Sequence, residues 1–185
     1  MKAHLRSLAF ASILCAALVA QDGAKALWID VPFVAQPVEG CGAASIAMVM
    51  QYWEQQQGKP RSPAAGADQI LRALHDGAAH GIYARDMVNY FQQNGFRTFA
   101  FAGEWPDLQR HLAKGRPLIV ALQPGPDRPL HFVVVAGLDP AQQLVLLNDP
   151  AQRKLLKEED ARFAKEWTAA GNWTLLAVPE ASAHP

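Results

Sequence analysis

The stretch from Ala43 to Gln55 carries apolar residues on nearly every helical face. Ile46, Val49, Met50 and Trp53 follow the i, i+3, i+4, i+7 spacing of one helix side, and Ala43, Ala44, Ala47 and Met48 occupy the others. A helix of this kind has no polar side to turn to water, so the rest of the chain has to enclose it. The chain has the means: 50% of its 185 residues are apolar. That suffices for one domain with a true core and is too little for two ordinary ones. No repeat of solenoid period is visible.

The elements around this helix follow from local pattern. Leu27–Val31 reads as a short strand stopped by Pro32, and 36–42 as a loop with Pro37, Gly40 and Gly42. The Pro- and Gly-rich segment 58–66 is a second loop. Helices are expected at Ala67–Leu74 and Ala84–Gln93, the latter stopped by Gly95. The second half is richer in strands. Strands are expected at Phe96–Phe101, Pro117–Leu122, Leu130–Leu138, Leu144–Leu147 and Trp173–Val178, with helices at Pro106–Leu112 and Lys157–Trp167. Three prolines make 123–129 a loop, and 139–142 is a turn. Helices first and strands later predict an α+β class, with the buried helix packed on an antiparallel sheet.

The N-terminus reads differently from the rest. Lys2, His4 and Arg6 precede an apolar run from Leu8 to Ala20, and Ala24-Lys25-Ala26 offers an A-x-A cleavage site. Together these predict a signal peptide over residues 1–26 and an exported product, periplasmic or secreted. The run is short for a bilayer span. The domain is then 27–180, and 181–185 is a disordered tail. Lys+Arg and Asp+Glu number 17 each, so neither nucleic acid nor a membrane surface is an expected partner once the signal is removed.

Charge balance and apolar content also exclude a disordered chain. The only cysteines are Cys15 and Cys41, which excludes a disulfide scaffold or a Cys-rich zinc site. Signal removal takes Cys15 and leaves Cys41 alone in an oxidising compartment, the setting of a reactive or bridging thiol. Cys41 lies between Gly40 and Gly42 at the mouth of the buried helix, where free N–H groups and the helix dipole favour a thiolate. His131 opens an apolar strand after the Pro-rich loop, and Asp149 follows the end of the next strand. Were the two strands a hairpin, these residues would be neighbours, as a base and its orienter must be. Gln36 lies in the same loop as Cys41, where its amide could donate to an oxyanion together with the Cys41 N–H.

Plainer readings stand beside these. Cys41 could be a small buried hydrophobe, Asp149 a turn residue and Gln36 an ordinary loop residue. Asn148 could orient the imidazole instead, although in an extended segment it faces away from Asp149. His75, His80 and His111 lack metal-ligand spacing and read as surface residues, so no metal is expected. The five tryptophans read as core or groove packing, so no cofactor is expected either.

The segments Asp30-Val31-Pro32-Phe33-Val34-Ala35-Gln36, Gly40-Cys41-Gly42-Ala43-Ala44, Tyr52-Trp53, His131-Phe132-Val133-Val134-Val135 and Asn148-Asp149-Pro150 occur in a recognisable order. Over residues 29–150 the chain resembles the bacteriocin-processing, double-glycine leader cysteine peptidases, a branch of the papain-like superfamily. The resemblance implies a papain-like fold, with Cys41 as nucleophile, His131 as general base and acid, Asp149 as orienter and Gln36 as oxyanion donor. It implies a peptide or protein substrate, a leader or other secreted peptide, cleaved through a thioacyl-enzyme; a monomer is the simplest state. Two alternatives keep the same residues: an acyltransferase that passes the thioacyl group to an amine, and a catalytically silent peptide-binding module.

Overall fold

A computed structural model describes residues 25–180. The expected signal peptide, except for its last two residues, and the expected tail at 181–185 lie outside the described residues. The strands are β1 (Leu27–Trp28), β2 (Phe96–Ala102), β3 (Leu118–Leu122), β4 (His131–Asp139), β5 (Leu144–Asp149), β6 (Arg153–Glu159) and β7 (Trp173–Pro179). The helices are α1 (Cys41–Gln56), α2 (Ala67–Leu74), α3 (Ala84–Gln93), α4 (Trp105–Leu112) and α5 (Asp160–Ala169), with one 3-10 turn at Pro63–Ala65. The sheet runs β2-β7-β3-β4-β5-β6, with β1 added to β4. Every pairing is antiparallel, so the α+β class is observed, with the helix of Cys41 packed on an antiparallel sheet.

The sheet separates two cores. Alternate residues of β4 divide between them: Phe132, Val134 and Ala136 face α1, α2 and α3, whereas Val133 and Val135 face α4 and α5. α1 is the centre of the first core, with Ile46, Ala47 and Met48 wholly buried. Burying a side chain the size of Ile46 or Met48 stabilises by roughly 1.5–3 kcal/mol. Four polar side chains of this helix donate to backbone carbonyls. Ser45 Oγ donates to Phe132 O (3.1 Å), Gln51 Nε2 to Ala65 O (2.7 Å), Tyr52 Oη to Gly115 O (2.7 Å) and Trp53 Nε1 to Ala177 O (3.0 Å). These bonds set the rotation and the axial position of α1 against β4 and β7, which apolar packing alone leaves loose.

Several expectations need correction. α1 begins at Cys41, not Ala43, so the cysteine belongs to the first helical turn. β1 ends at Trp28 rather than Val31. The largest error is at 153–159. The helix expected from Lys157 starts at Asp160, and the seven residues before it form the edge strand β6. Charged side chains suit an exposed edge, where they discourage pairing with other chains. Arg153, Lys154, Lys157, Glu158 and Glu159 therefore conceal the strand from a search for apolar alternation. A bulge conceals it further: opposite Asn148 the register shifts, and Leu155 adopts a φ of 50°.

β4 carries three neighbours because β1 pairs with Gly137 and Leu138, beyond the end of β3. Gly137 permits this. A Cβ there would lie 2.7 Å from both Leu27 O and Trp28 Cβ.

Candidate active site

Cys41 sits at the entrance to α1 because nothing larger than glycine fits before it. A Cβ on Gly40 would lie 2.6 Å from two ring carbons of Pro37, and Gly40 N–H closes a turn onto Pro37 O at 2.9 Å. The first helical bond runs from Ala44 N–H to Gly40 O (2.9 Å). The N–H groups of Cys41, Gly42 and Ala43 are thus left without helical acceptors, at the positive end of a 16-residue helix.

The hairpin of β4 and β5 brings up the partners. Val134 pairs with Asn148. Continuing that register sets Asp149 opposite Val133, on the face that His131 shares. His131 Nε2 lies 2.8 Å from Asp149 Oδ1. The Cys41 thiol lies close enough to the imidazole that each shifts the other's proton affinity. The structure therefore brings Cys41 and Asp149 to the same imidazole, Asp149 by a hydrogen bond. Asn148 is on the opposite face. Wholly buried, it donates from Nδ2 to Val31 O (3.0 Å) and Pro32 O (3.4 Å) and accepts Leu155 N–H at Oδ1 (3.0 Å).

The electrostatics of this cluster are cooperative. Burial is the largest influence on each of the three groups, and it opposes their charges. It pushes the Cys41 thiol up, but the His131 hydrogen bond, backbone bonds from Phe132 and Gly42 and the imidazolium charge outweigh it, so the thiol lies below its ordinary value. Burial pushes His131 down, yet the hydrogen bonds to Asp149 and Cys41 raise it to about 9. Asp149 is held below its ordinary value against burial by His131, with help from Ala151 N–H and Gln152. Each shift favours the charged form, toward a thiolate–imidazolium pair backed by a carboxylate, and the proton equilibria belong to the group as a whole. Such a pair can attack a carbonyl and then protonate a leaving amine.

These residues line a cleft of about 960 Å³. Gln36 lines it too, and its backbone N–H donates to Pro150 O at 2.9 Å. Its Oε1 is buried with no hydrogen-bond partner among the described residues. Pro124, Pro129 and Leu130 form one wall, on the loop that Gln123 ties down by donating to Gly125 O and Arg128 O. Gln152 and Leu156 stand on another.

Sequence reasoning missed several contributors. Ser45 carries no catalytic pattern, yet it bonds the residue after His131. Gln152, in an ordinary turn, donates to Asp149 Oδ2 at 2.6 Å. His75 and His80 are exposed, as surface residues should be, and both meet the Glu39 carboxylate, at 2.8 and 3.2 Å, two residues before Cys41. His111 is half-buried, and burial pushes its pKa down. Four of the tryptophans pack against other aromatic rings, while Trp28 is 54% exposed. Among the described residues no His, Cys, Asp and Glu group is arranged to hold a metal.

The Peptidase_C39 like family matches residues 28–175. No curated protein matches the chain in sequence. Among solved structures, a double glycine motif protease from an AMS/PCAT transporter, in complex with the leader peptide, is 22% identical. Its TM-score is 0.63, over 82% of this chain and 94% of that one. A C39-like peptidase from Bacillus anthracis is 18% identical, with a TM-score of 0.65 over 85% of this chain and 100% of that one. The peptidase domain of Streptococcus ComA, a bi-functional ABC transporter involved in a quorum-sensing pathway, is 23% identical. There the TM-score is 0.61, over 82% of this chain and 100% of that one. What these three share with the chain is the fold.

Proposed function

The chain belongs to the Peptidase_C39 like family and is a papain-like cysteine peptidase, and from that premise we propose that Cys41, His131, Asp149 and Gln36 carry its reaction. The supporting observation is His131, hydrogen-bonded to Asp149 at 2.8 Å and electrostatically coupled to the Cys41 thiol in the same cleft. The Cys41 thiolate attacks the carbonyl carbon of a peptide bond. The oxyanion forms beside the Cys41 N–H, and the Gln36 side-chain amide turns toward it as second donor. His131 gives its proton to the leaving amine, the C–N bond breaks, and a thioester to Cys41 remains. His131, now neutral, takes a proton from water as that water attacks the thioester. The acid product leaves and the thiolate–imidazolium pair is restored.

The proposed substrate is an extended peptide, either a leader or another secreted peptide. The cleft has the volume for several peptide residues, at about 960 Å³, and the double glycine motif protease is solved with a leader peptide. We place the reaction outside the cytoplasm, on the strength of the signal-like segment at 1–26.

Substrate capture tests this reading. Cys41→Ala protein, incubated with the exported peptides of its host, should retain a defined set that the wild type cleaves. Cleavage by wild type should end in acid rather than amide when amines are added. Turnover by Cys41→Ala, or amide as the main product, would overturn the assignment.

A further inference from the structure

The turn from β5 to β6 holds the Asp149 carboxylate by both oxygens. Gln152 N–H closes the turn onto Asp149 O at 3.0 Å. Oδ1 accepts from His131 Nε2 (2.8 Å) and from Ala151 N–H (2.9 Å). Oδ2 accepts from Gln152 Nε2 at 2.6 Å, and Gln152 is the one side chain besides His131 that reaches this carboxylate among the described residues. Torsion about the bond to a carboxylate is soft. With Oδ2 free, the group could turn and take Oδ1 out of line with the imidazole. With Oδ2 held, the plane is set and so is the lone pair that receives His131.

We propose that Gln152 is a positioning residue, whose side-chain amide fixes the Asp149 carboxylate in the orientation that aims His131 at Cys41. This rests on the triad reading above and extends it by one residue. Gln152 differs from the triad in being exposed while it lines the cleft. Its amide therefore also stands between the almost fully buried Asp149 and cleft water, so the carboxylate keeps a fixed donor instead of an exchanging one. Arg153 of β6 is the cross-strand partner of Asp149. His131 of β4 faces it, with Cys41 of α1 beyond. Glu158 of β6 senses its charge and is paired to Arg162 of α5. Gln152 is the neutral donor in this group. An ionised acidic residue in its place would repel Asp149, and an apolar one would leave Oδ2 without this donor.

Two substitutions separate positioning from shape. Gln152→Met keeps the length and loses the donor. Gln152→Glu keeps the outline and donates only while protonated. The readouts are Cys41 alkylation by iodoacetamide against pH, peptide turnover, and melting temperature as a check on the fold. Gln152→Met should melt like wild type. Its kcat should fall about tenfold, as expected for one hydrogen bond to a charged group, with a smaller change in KM. The acid limb of its alkylation profile should move to higher pH, because a carboxylate that has lost a donor protonates sooner. Gln152→Glu should approach wild-type alkylation at the acid end and fall behind as its carboxyl ionises.

A wild-type profile and kcat in Gln152→Met would overturn the inference alone, provided that His131→Ala slows alkylation. Equal losses in both variants at every pH would overturn it too, by showing that Gln152 supplies only shape. Unchanged alkylation in His131→Ala would overturn the triad reading and this inference with it.

Discussion

Cys41 and His131 shift each other's proton affinity, and the direction of each shift sets a pH profile. The thiol lies below its ordinary value, so the thiolate persists to lower pH than that of an ordinary thiol and is lost as pH falls through that lowered value. His131 is raised to about 9, so the proton needed by the leaving amine is present at neutral pH and lost as pH rises through that region. Turnover should therefore be bell-shaped, with its basic limb near 9, while alkylation, which needs only the thiolate, should not fall there. His131→Ala removes the hydrogen bond and charge that offset burial. Its alkylation near pH 7 should slow about tenfold or more, and the profile should move toward that of an ordinary thiol. Stopped-time alkylation from pH 5 to 10 checks both expectations; identical wild-type and His131→Ala curves would rule out the pairing. At this scale the sequence was legible where chemistry is placed at an element's end. Cys41 between two glycines, His131 opening a strand and Asp149 closing one all stand out. Gln152 and Ser45 do not, because a polar residue in a turn or one buried hydroxyl has no pattern until its partner is known.

At the scale of elements, apolar periodicity reported what is enclosed and missed what lies on an edge. Ala67–Leu74 and Ala84–Gln93 form as expected, because each buries a single stripe that spacing reveals. β6 was missed since its residues answer to solvent and to a bulge rather than to a core. That bulge shows what Asn148 does. Its amide joins β5 to the backbone at Val31 and Pro32 and to Leu155 of β6, all from a wholly buried position. Asn148→Ala leaves the buried Val31 carbonyl and the part-buried Pro32 carbonyl and Leu155 N–H without this partner. A loss of about 1–3 kcal/mol per unsatisfied buried group is the expected scale, read as a lower midpoint in denaturant. The imidazole should lose little directly, since His131 takes Asp149 and not Asn148. The variant should therefore alkylate at the wild-type rate while folded, yet unfold sooner. Normal stability with failed alkylation would mean that Asn148, not Asp149, orients the ring.

At the scale of the molecule, the site is assembled from segments far apart in the chain, and one of its threads starts at the N-terminal edge. β1 pairs with β4 through Leu27 and Trp28, and Ile29 N–H continues the contact to Ala136 O at 2.8 Å. The thread then passes under Asn148 at Val31 and Pro32 and reaches Gln36, whose N–H meets Pro150 O. Cleavage after Ala26 would keep this thread whole; on the proposed export, N-terminal sequencing of the processed protein should begin at Leu27. Starting the chain at Ile29 instead removes β1 but no residue of α1, β4 or β5. Cys41, His131 and Asp149 should stay in line, and alkylation of Cys41 should remain within about twofold of wild type. Gln36 loses an anchor upstream, so the oxyanion donor should be less well held. Loss of one such donor costs about 10²–10³ in kcat; a loosened one should cost less, about tenfold, with KM changing little. Measuring alkylation and turnover on the same truncated sample separates the two effects. A parallel drop in both would mean that β1 supports the thiolate pair itself. Full turnover without β1 would mean that the clasp at Asn148 alone is enough to hold Gln36.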